Sequence, residues 1–181
     1  MKKKLIILAS ALLAALISIT AIGCSAANDC AKLIKNSAKN LTYVQTVFEA
    51  TDKGEKVFIY SESVEIIEGN AEITKSTSRL NPSYEFSTIS ESSFVENLNR
   101  ESLLNFAFES KYFKESSLNN NLFTATVIGD CIDEFLGCSP FSIAGDAEVT
   151  MNFENKCLKN AVITFNLQSG KQVKITVECE Y

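Results

Sequence analysis

Three successive segments near the C-terminus alternate apolar and polar side chains with a period of two. They are residues 147–153, 161–167 and 173–179, and their odd-numbered positions are apolar. Because successive side chains of a β-strand point to opposite faces, each segment is predicted to be a strand with one dry face. The short sequences "ENK" and "QSG" separate them, which predicts an antiparallel meander. The apolar positions are Ala147, Val149, Met151 and Phe153; Ala161, Ile163, Phe165 and Leu167; and Val173, Ile175, Val177 and Cys179.

The middle of the chain carries further strand patterns. Strands are expected over residues 41–50, 56–67, 71–80 and 84–90, and a hairpin over residues 111–128 that turns at residues 119–121. Clusters of turn-forming residues separate these segments. They are Asp52-Lys53-Gly54, Glu68-Gly69-Asn70 and Asn81-Pro82-Ser83.

Helices are expected in three places. The first covers residues 29–40, where Asp29 is a suitable N-cap and the apolar residues recur at helical spacing. The second covers residues 99–109. A short third helix begins after Asp130 and ends at Gly137, with two acidic residues in its first turn.

These elements predict an α+β fold. We expect a single curved antiparallel sheet of about eight or nine strands, shaped like a half-barrel, with two or three short helices covering its apolar face. The chain has only two prolines and no repeat or Pro/Gly-rich linker. Residues 29–181 are therefore expected to form one domain.

The N-terminus has the parts of a bacterial export signal. Lys2, Lys3 and Lys4 precede an uncharged run of 18 residues, Leu5–Ile22, and Gly23-Cys24 follows it directly. The sequence "AIGC" resembles the lipobox of bacterial lipoproteins, in which the Cys is diacylated and becomes the mature N-terminus. Two alternatives are an uncleaved membrane anchor and cleavage by ordinary signal peptidase near Ser25-Ala26-Ala27.

The lipobox interpretation has consequences for location. Residues 1–23 would be a signal peptide, Cys24 the lipidation site, and residues 24–28 a lipidated tether. Two acyl chains anchor a protein stably, so we expect it on the extracytoplasmic face of the cell membrane. Cleavage would remove three of 17 basic and none of 22 acidic residues, which leaves 158 residues with a net charge of −8.

Composition limits the function classes. An acidic domain without a basic stripe is not expected to bind nucleic acid. The chain has no His, so Ser-His and Cys-His nucleophile pairs and His-ligated metals are excluded. The Ser-rich segment Ser78–Phe94 lacks a base to activate a hydroxyl and is expected to be the polar outer face of strands and turns. We therefore expect no enzyme, no metal and no cofactor. No feature identifies a protein partner.

Five cysteines remain if Cys24 is acylated. An odd number leaves at least one thiol free or paired with another molecule. The meander supports one candidate disulfide, because a turn at "QSG" sets Lys159 opposite Cys179 and Cys157 diagonal to it. The two lie on the same face only if the strand is regular as far as Cys157. Buried structural thiols are the alternative.

The order of elements resembles a known group of envelope proteins. Gly23-Cys24, "DEFLG" at Asp133–Gly137 and the closing meander Leu158–Tyr181 are similar to LolA/LolB-like half-barrel lipoproteins, in particular to uncharacterised lipoproteins of Gram-positive bacteria. This resemblance implies a concave apolar surface that holds an acyl chain or another hydrophobe. It assigns no individual ligand residue.

Two function hypotheses follow. In the first, the membrane-anchored domain holds a lipid or other hydrophobic ligand in the cupped face of the sheet. In the second, it is an envelope structural or interaction module with a filled core and no ligand, whose edges and loops make the contacts. Aromatic side chains distinguish the two, because they line a pocket in the first and form the core in the second. The candidate lining residues are Phe94, Phe106, Phe108 and Phe123.

Overall fold

A computed structural model describes residues 25–138 and 141–181. Within these ranges, nine strands form one open antiparallel sheet in the order β4-β3-β2-β1-β9-β8-β7-β6-β5. The strands are β1 (Tyr43–Asp52), β2 (Glu55–Ile67), β3 (Asn70–Leu80), β4 (Phe86–Val95), β5 (Phe113–Asn119), β6 (Leu122–Val127), β7 (Ile143–Glu154), β8 (Cys157–Leu167) and β9 (Gln172–Glu180). The expected α+β fold with a single antiparallel sheet of this size is confirmed.

Two meanders build the sheet. Strands β1 to β4 follow one another through short turns, and strands β5 to β9 are likewise sheet neighbours in chain order, although residues 128–142 with a short helix separate β6 from β7. The two halves join where β9 pairs with β1, with Phe48 opposite Ile175. The strands at the two edges are therefore β4 and β5, and the connection between them crosses the inner face of the sheet.

The dry face predicted for the C-terminal meander is confirmed. The odd positions from 147 to 153, from 161 to 165 and from 173 to 179 are buried, and Met151, Ile163 and Val173 are fully so, whereas Leu167 at the end of β8 is only half-buried. The first helix, α1 (residues 25–40), packs Cys30, Ile34 and Ala38 into this core. The inner face of the sheet is thus the side that the helix covers.

The start of α1 differs from the prediction. Residues 25–28 are already helical, and Ala26 and Ala27 are buried, so these residues are not a free tether and Asp29 is not an N-cap. The carboxylate of Asp29 instead pairs with Lys32 at 2.9 Å on the helix surface. The helix thus includes residues 25–28, with both alanines on its buried side. Cys24 and residues 1–23 lie outside the described residues.

The helix expected at residues 99–109 is wrong in its extent. A short 3-10 helix covers Arg100–Leu104, capped by the side chain of Asn99, and a second covers Ser110–Tyr112. Between them, residues 105–109 have no regular secondary structure, and the N–H of Ala107 donates to the carbonyl of Phe135 at 2.9 Å rather than within a helix.

The third predicted helix is confirmed as α2 (Ile132–Leu136), preceded by a 3-10 turn at Gly129–Cys131. Gly137 ends it in the left-handed conformation with φ 60°. Its N–H donates to the carbonyls of Asp133 and Glu134, which satisfies groups that the helix end would leave free. A side chain at this position would also collide with Asn105.

Candidate functional site

Three of the four candidate pocket residues meet in one aromatic cluster. It consists of Phe106, Phe108, Phe113, Phe123 and Phe135. The ring centroids of Phe108 and Phe123 lie 5.8 Å apart, and those of Phe106 and Phe135 lie 5.6 Å apart. Phe123 and Phe135 are fully buried. These rings occupy the space between α2 and strands β5 to β7, as core side chains do.

Phe94 does not belong to this cluster, which corrects the prediction that it lines the same pocket. It pairs with Glu72 on β3 and lies on the outer face of the sheet, where 65% of it is exposed. The local sequence did not reveal this, because the side of a strand that faces the helices depends on the register of the whole sheet.

The cysteine pair also differs from the prediction. The β8–β9 register is as expected, with Asn160 opposite Glu178. However, β8 is irregular on its other side, since the β7–β8 pairing shifts by one residue between Asn152 and Phe153. Leu158 therefore takes the buried position and Cys157 is only half-buried, so the regular strand on which the pairing depended is absent.

Two of the cysteines, Cys30 and Cys179, are buried. Cys30, Cys131, Cys138, Cys157 and Cys179 are free thiols in the described part of the chain. Burial raises the pKa of Cys179 to about 11, and burial likewise raises the pKa of Cys30. Because the thiolate is the reactive form, these two groups are poor nucleophiles at neutral pH.

The inner face of β2, β3 and β4 is covered at one end, where Val64, Ile66 and Ala71 are buried in the core. The rest of this face, around Tyr60, Thr77 and Ile89, is half-buried to exposed among the described residues, and we call it the open wing. Phe48 of β1 pairs with Ile175 in the core on one side and with Tyr60 on the other. Tyr60 continues the same row to Thr77 and Ile89. Here the row leaves the core, because Ile89 is 75% exposed.

A groove of about 530 Å³ lies on the open wing. It combines a phenol, two cations, one carboxylate and exposed apolar side chains. Its lining residues are Tyr60, Lys75, Thr77, Arg79, Leu80, Asn81, Ser87, Ile89 and Glu91. Such a mixture of apolar surface and a few polar groups is typical of a binding surface.

Hydrogen bonds and charges fix the polar side of this groove. The hydroxyl of Tyr60 donates to Glu62 Oε2 at 2.6 Å, and Lys75 Nζ lies 3.5 Å from the same oxygen. Burial raises the pKa of Tyr60 to about 12, and the hydrogen bond to Glu62 and the charges of Glu62 and Glu91 add to this effect. At neutral pH Tyr60 is therefore a hydrogen-bond donor and not a base.

Aromatic contacts connect the open wing to the core. The guanidinium of Arg79 lies 5.6 Å from the ring centroid of Phe58. Phe58 meets Phe48 at 5.9 Å, and Phe48 stacks on Phe141 at 5.8 Å. Within the described residues no carboxylate lies within 4 Å of Arg79, so its charge is held against an aromatic face and is available to an anion.

Strand β4 forms the outer boundary of the open wing. It is ten residues long, and all of them except Val95 are exposed. Three large apolar side chains, Phe86, Ile89 and Phe94, are 44%, 75% and 65% exposed. Among the described residues no strand pairs with the other side of β4, so one row of its backbone N–H and C=O groups has no partner strand there.

Between Phe86 and Phe94 the outer face of β3 and β4 is polar, as predicted for the hydroxyl side chains of the Ser-rich segment Ser78–Phe94. Hydroxyl pairs join the two strands across this face at 2.8–3.2 Å. They are Thr74 with Ser92, Ser76 with Ser90, and Ser78 with Thr88. The hydroxyls thus stabilise the edge of the sheet.

Within residues 25–138 and 141–181, no three Cys, Asp or Glu side chains are grouped as metal ligands. No helix in the same ranges combines the length and apolarity that crossing a membrane requires.

Comparisons with known proteins identify no family. No family model matches the chain, and no curated protein matches it. Among solved structures, it is similar to kievitone hydratase from Nectria haematococca, with 9% identity and a TM-score of 0.29, over 78% of this chain and 48% of the hydratase. The chain thus spans about half the length of that enzyme.

Two further structures are similar at the same level. A bifunctional dehydratase-cyclase domain in ambruticin biosynthesis has 8% identity and a TM-score of 0.23, over 82% of this chain and 78% of that one. An N-terminal dehydratase from the difficidin assembly line has 8% identity and a TM-score of 0.19, over 88% and 86%. Likenesses at these TM-scores carry no argument about function.

Proposed function

We propose that this protein is a bacterial lipoprotein, anchored through Cys24 to the extracytoplasmic face of the cell membrane, whose domain is a non-catalytic interaction module. The observation that carries the proposal is the exposure of β4, an edge strand in which nine of ten residues are exposed. The aromatic cluster supports it as well, because its rings fill the region where the hydrophobic ligand was expected. The anchor itself is supported by the Gly23-Cys24 sequence.

The physical reason is the cost of an unprotected edge. Proteins usually shorten, charge, bend or cover an edge strand, because its unpaired backbone groups recruit another strand. Strand β4 is long, and it adds exposed Phe86, Ile89 and Phe94 to those backbone groups. A partner that adds a strand here would gain both main-chain hydrogen bonds and apolar contact.

A second candidate function is binding of an amphiphile on the open wing. Ile89 and Leu80 offer apolar surface in the groove, and Arg79 offers a cation without a carboxylate partner among the described residues. A ligand with an acyl chain and an anionic head would match this pairing. Titration with a fluorescent fatty acid tests it: Arg79→Gln should weaken binding, whereas Lys35→Gln on the exposed face of α1 should not.

The interaction module is tested in the native membrane with a photo-crosslinking amino acid at position 89. Ile89 is on the exposed β4 edge, and Glu115 on the opposite edge strand β5 provides the matched control position. We expect a defined protein adduct from position 89 and none from position 115. Equal labelling at both positions, or no adduct at position 89, would overturn the proposal.

The anchor is tested separately. Cys24→Ser, or a globomycin-type block of lipoprotein signal peptidase, should stop maturation and leave the uncleaved precursor, because the lipidated Cys directs cleavage. Normal processing of Cys24→Ser to a product released from the membrane would instead support ordinary signal peptidase and exclude lipidation.

A further inference from the structure

The outward side chains of β4 follow the same pattern when they are read from either end of the strand. Its outward side chains run Phe86, Thr88, Ser90, Ser92 and Phe94, so that an aromatic residue ends the row on each side and Ser90 lies at its centre. A surface that binds a second copy across a twofold axis must be complementary to itself. This row meets that condition when two β4 strands run antiparallel.

We propose that the partner of β4 is a second copy of this chain, paired edge to edge and antiparallel, with the twofold axis at Ser90. The proposal rests on the proposed function, since it requires β4 to be an interaction edge, and it adds the identity and register of the partner. In this register Phe86 faces Phe94 of the second copy, and the reverse pair forms at the other end. Thr88 likewise faces Ser92. Cross-strand aromatic pairs and hydroxyl pairs both stabilise antiparallel strands.

The acidic residues and the two phenylalanine pairs together select this register. With the axis at Ser90, Glu91 faces Ile89 of the second copy, and Glu85 faces Val95. No carboxylate of β4 then opposes another. Moving the axis by one residue, to Glu91, would set Glu91 against its own copy, and like charges directly opposite destabilise a strand pair. A shift of the axis by one residue in either direction, to Ile89 or to Glu91, would separate the two phenylalanine pairs.

Pairing would also enlarge the binding surface. Ile89 and Glu91 lie on the inner face of β4 and line the groove of the open wing. Two copies joined at β4 would place their grooves side by side across the axis. Both sheets would continue into one, and each copy would lose its exposed β4 edge.

Cysteine cross-linking of the full chain in its own membrane tests the register. Ser90→Cys, in a background where the exposed Cys138 is changed to Ser, should give a covalent dimer with a short bis-maleimide. Thr88→Cys alone and Ser92→Cys alone should not, whereas the two expressed together should. Cross-linking of Thr88→Cys alone at the level of Ser90→Cys, or no dimer from Ser90→Cys, would overturn the proposal.

Two substitutions at one exposed position provide an independent measurement. Ile89→Glu places two carboxylates opposite Glu91 residues, and it should raise the dimer dissociation constant of the detergent-solubilised full chain roughly tenfold, two symmetric pairs contributing. Ile89→Lys creates two opposite-charge pairs and should leave the dimer intact at low salt. Equal effects of both variants, or a wild type that sediments as a monomer at every concentration, would overturn the dimer.

Failure of the dimer can be distinguished from failure of the proposed function. If position 89 photo-crosslinks to a different protein and Ser90→Cys gives no dimer, the second copy is excluded as partner and the interaction module stands. If position 89 gives no adduct of any kind, both proposals fail.

Discussion

The hydroxyl of Ser37 accepts a hydrogen bond from the N–H of Leu158 at 2.8 Å, across 121 residues of sequence. The same hydroxyl donates to the carbonyl of Leu33 at 2.7 Å within α1. Ser37 is fully buried, and it is joined to β8 at the position where that strand is irregular. One buried hydroxyl thus attaches the covering helix to the sheet.

Ser37→Ala should therefore destabilise the domain by about 1–3 kcal/mol, because the buried N–H of Leu158 would lose its acceptor. Denaturant unfolding measures this change. Lys35→Ala on the exposed side of the same helix is the control, and its effect should stay within roughly 0.5 kcal/mol. Equal effects of the two substitutions would mean that the hydrogen bond does not contribute to stability.

The irregularity beside Leu158 explains one limit of sequence-based prediction. The alternation of β7, β8 and β9 correctly identified the buried side at Ile163 and Val173, because a period of two is a local property of a strand. The pairing with β7 leaves one extra residue in β8 near Lys159, and no local sequence pattern predicts it. The candidate disulfide between Cys157 and Cys179 depended on a regular strand at that point, and the strand is irregular there.

The aromatic cluster provides a second prediction. Phe123→Ala should cost about 3–5 kcal/mol, because it removes a fully buried ring that packs against Phe108 and Phe113. Phe94→Ala removes the same ring from the exposed outer face and should change stability by less than about 0.5 kcal/mol. Denaturant unfolding of the two variants compares them directly.

The same pair of variants should differ in the binding of a small apolar molecule. An apolar cavity inside a core stays dry and accepts ligands such as benzene. Phe123→Ala should therefore gain benzene binding, and Phe94→Ala should not. A Phe123→Ala variant of wild-type stability would contradict the filled core.

Tyr60 should make stability depend on pH in the alkaline range. Burial, the hydrogen bond to Glu62 and nearby carboxylates raise the pKa of Tyr60 to about 12, above the ordinary value of about 10. The folded protein therefore holds this proton to higher pH than the unfolded chain. The resulting stabilisation is complete below about pH 10 and is lost as the pH rises toward 12.

Phenolate absorbance during an alkaline titration measures this effect. Tyr60→Phe should remove one late ionisation from the curve of the five tyrosines. Glu62→Gln should shift that ionisation to lower pH, because it removes the charge that opposes the phenolate. An unchanged curve for Glu62→Gln would show that this carboxylate does not act on Tyr60.

The candidate surface was less predictable than the fold. Tyr60, Arg79 and Ile89 come from three different strands, and they share a face only because of the pairing of β2, β3 and β4. The edge position of β4 is likewise a property of strand order, which depends on β9 returning to β1. Alternation within one strand determines neither the shared face nor the edge position, because pairing between distant segments sets both.

The final prediction concerns the dry face of the meander. Ile163 is fully buried, whereas its neighbour Thr164 lies on the opposite face between Glu148 and Lys174. Ile163→Asp should unfold the domain, because burying an unpaired charge costs several kcal/mol against a total stability of roughly 5–15 kcal/mol. Thr164→Asp should be tolerated, since its charge would stand beside one acid and one base. Circular dichroism during thermal unfolding checks both variants, and similar behaviour of the two would contradict the assigned register.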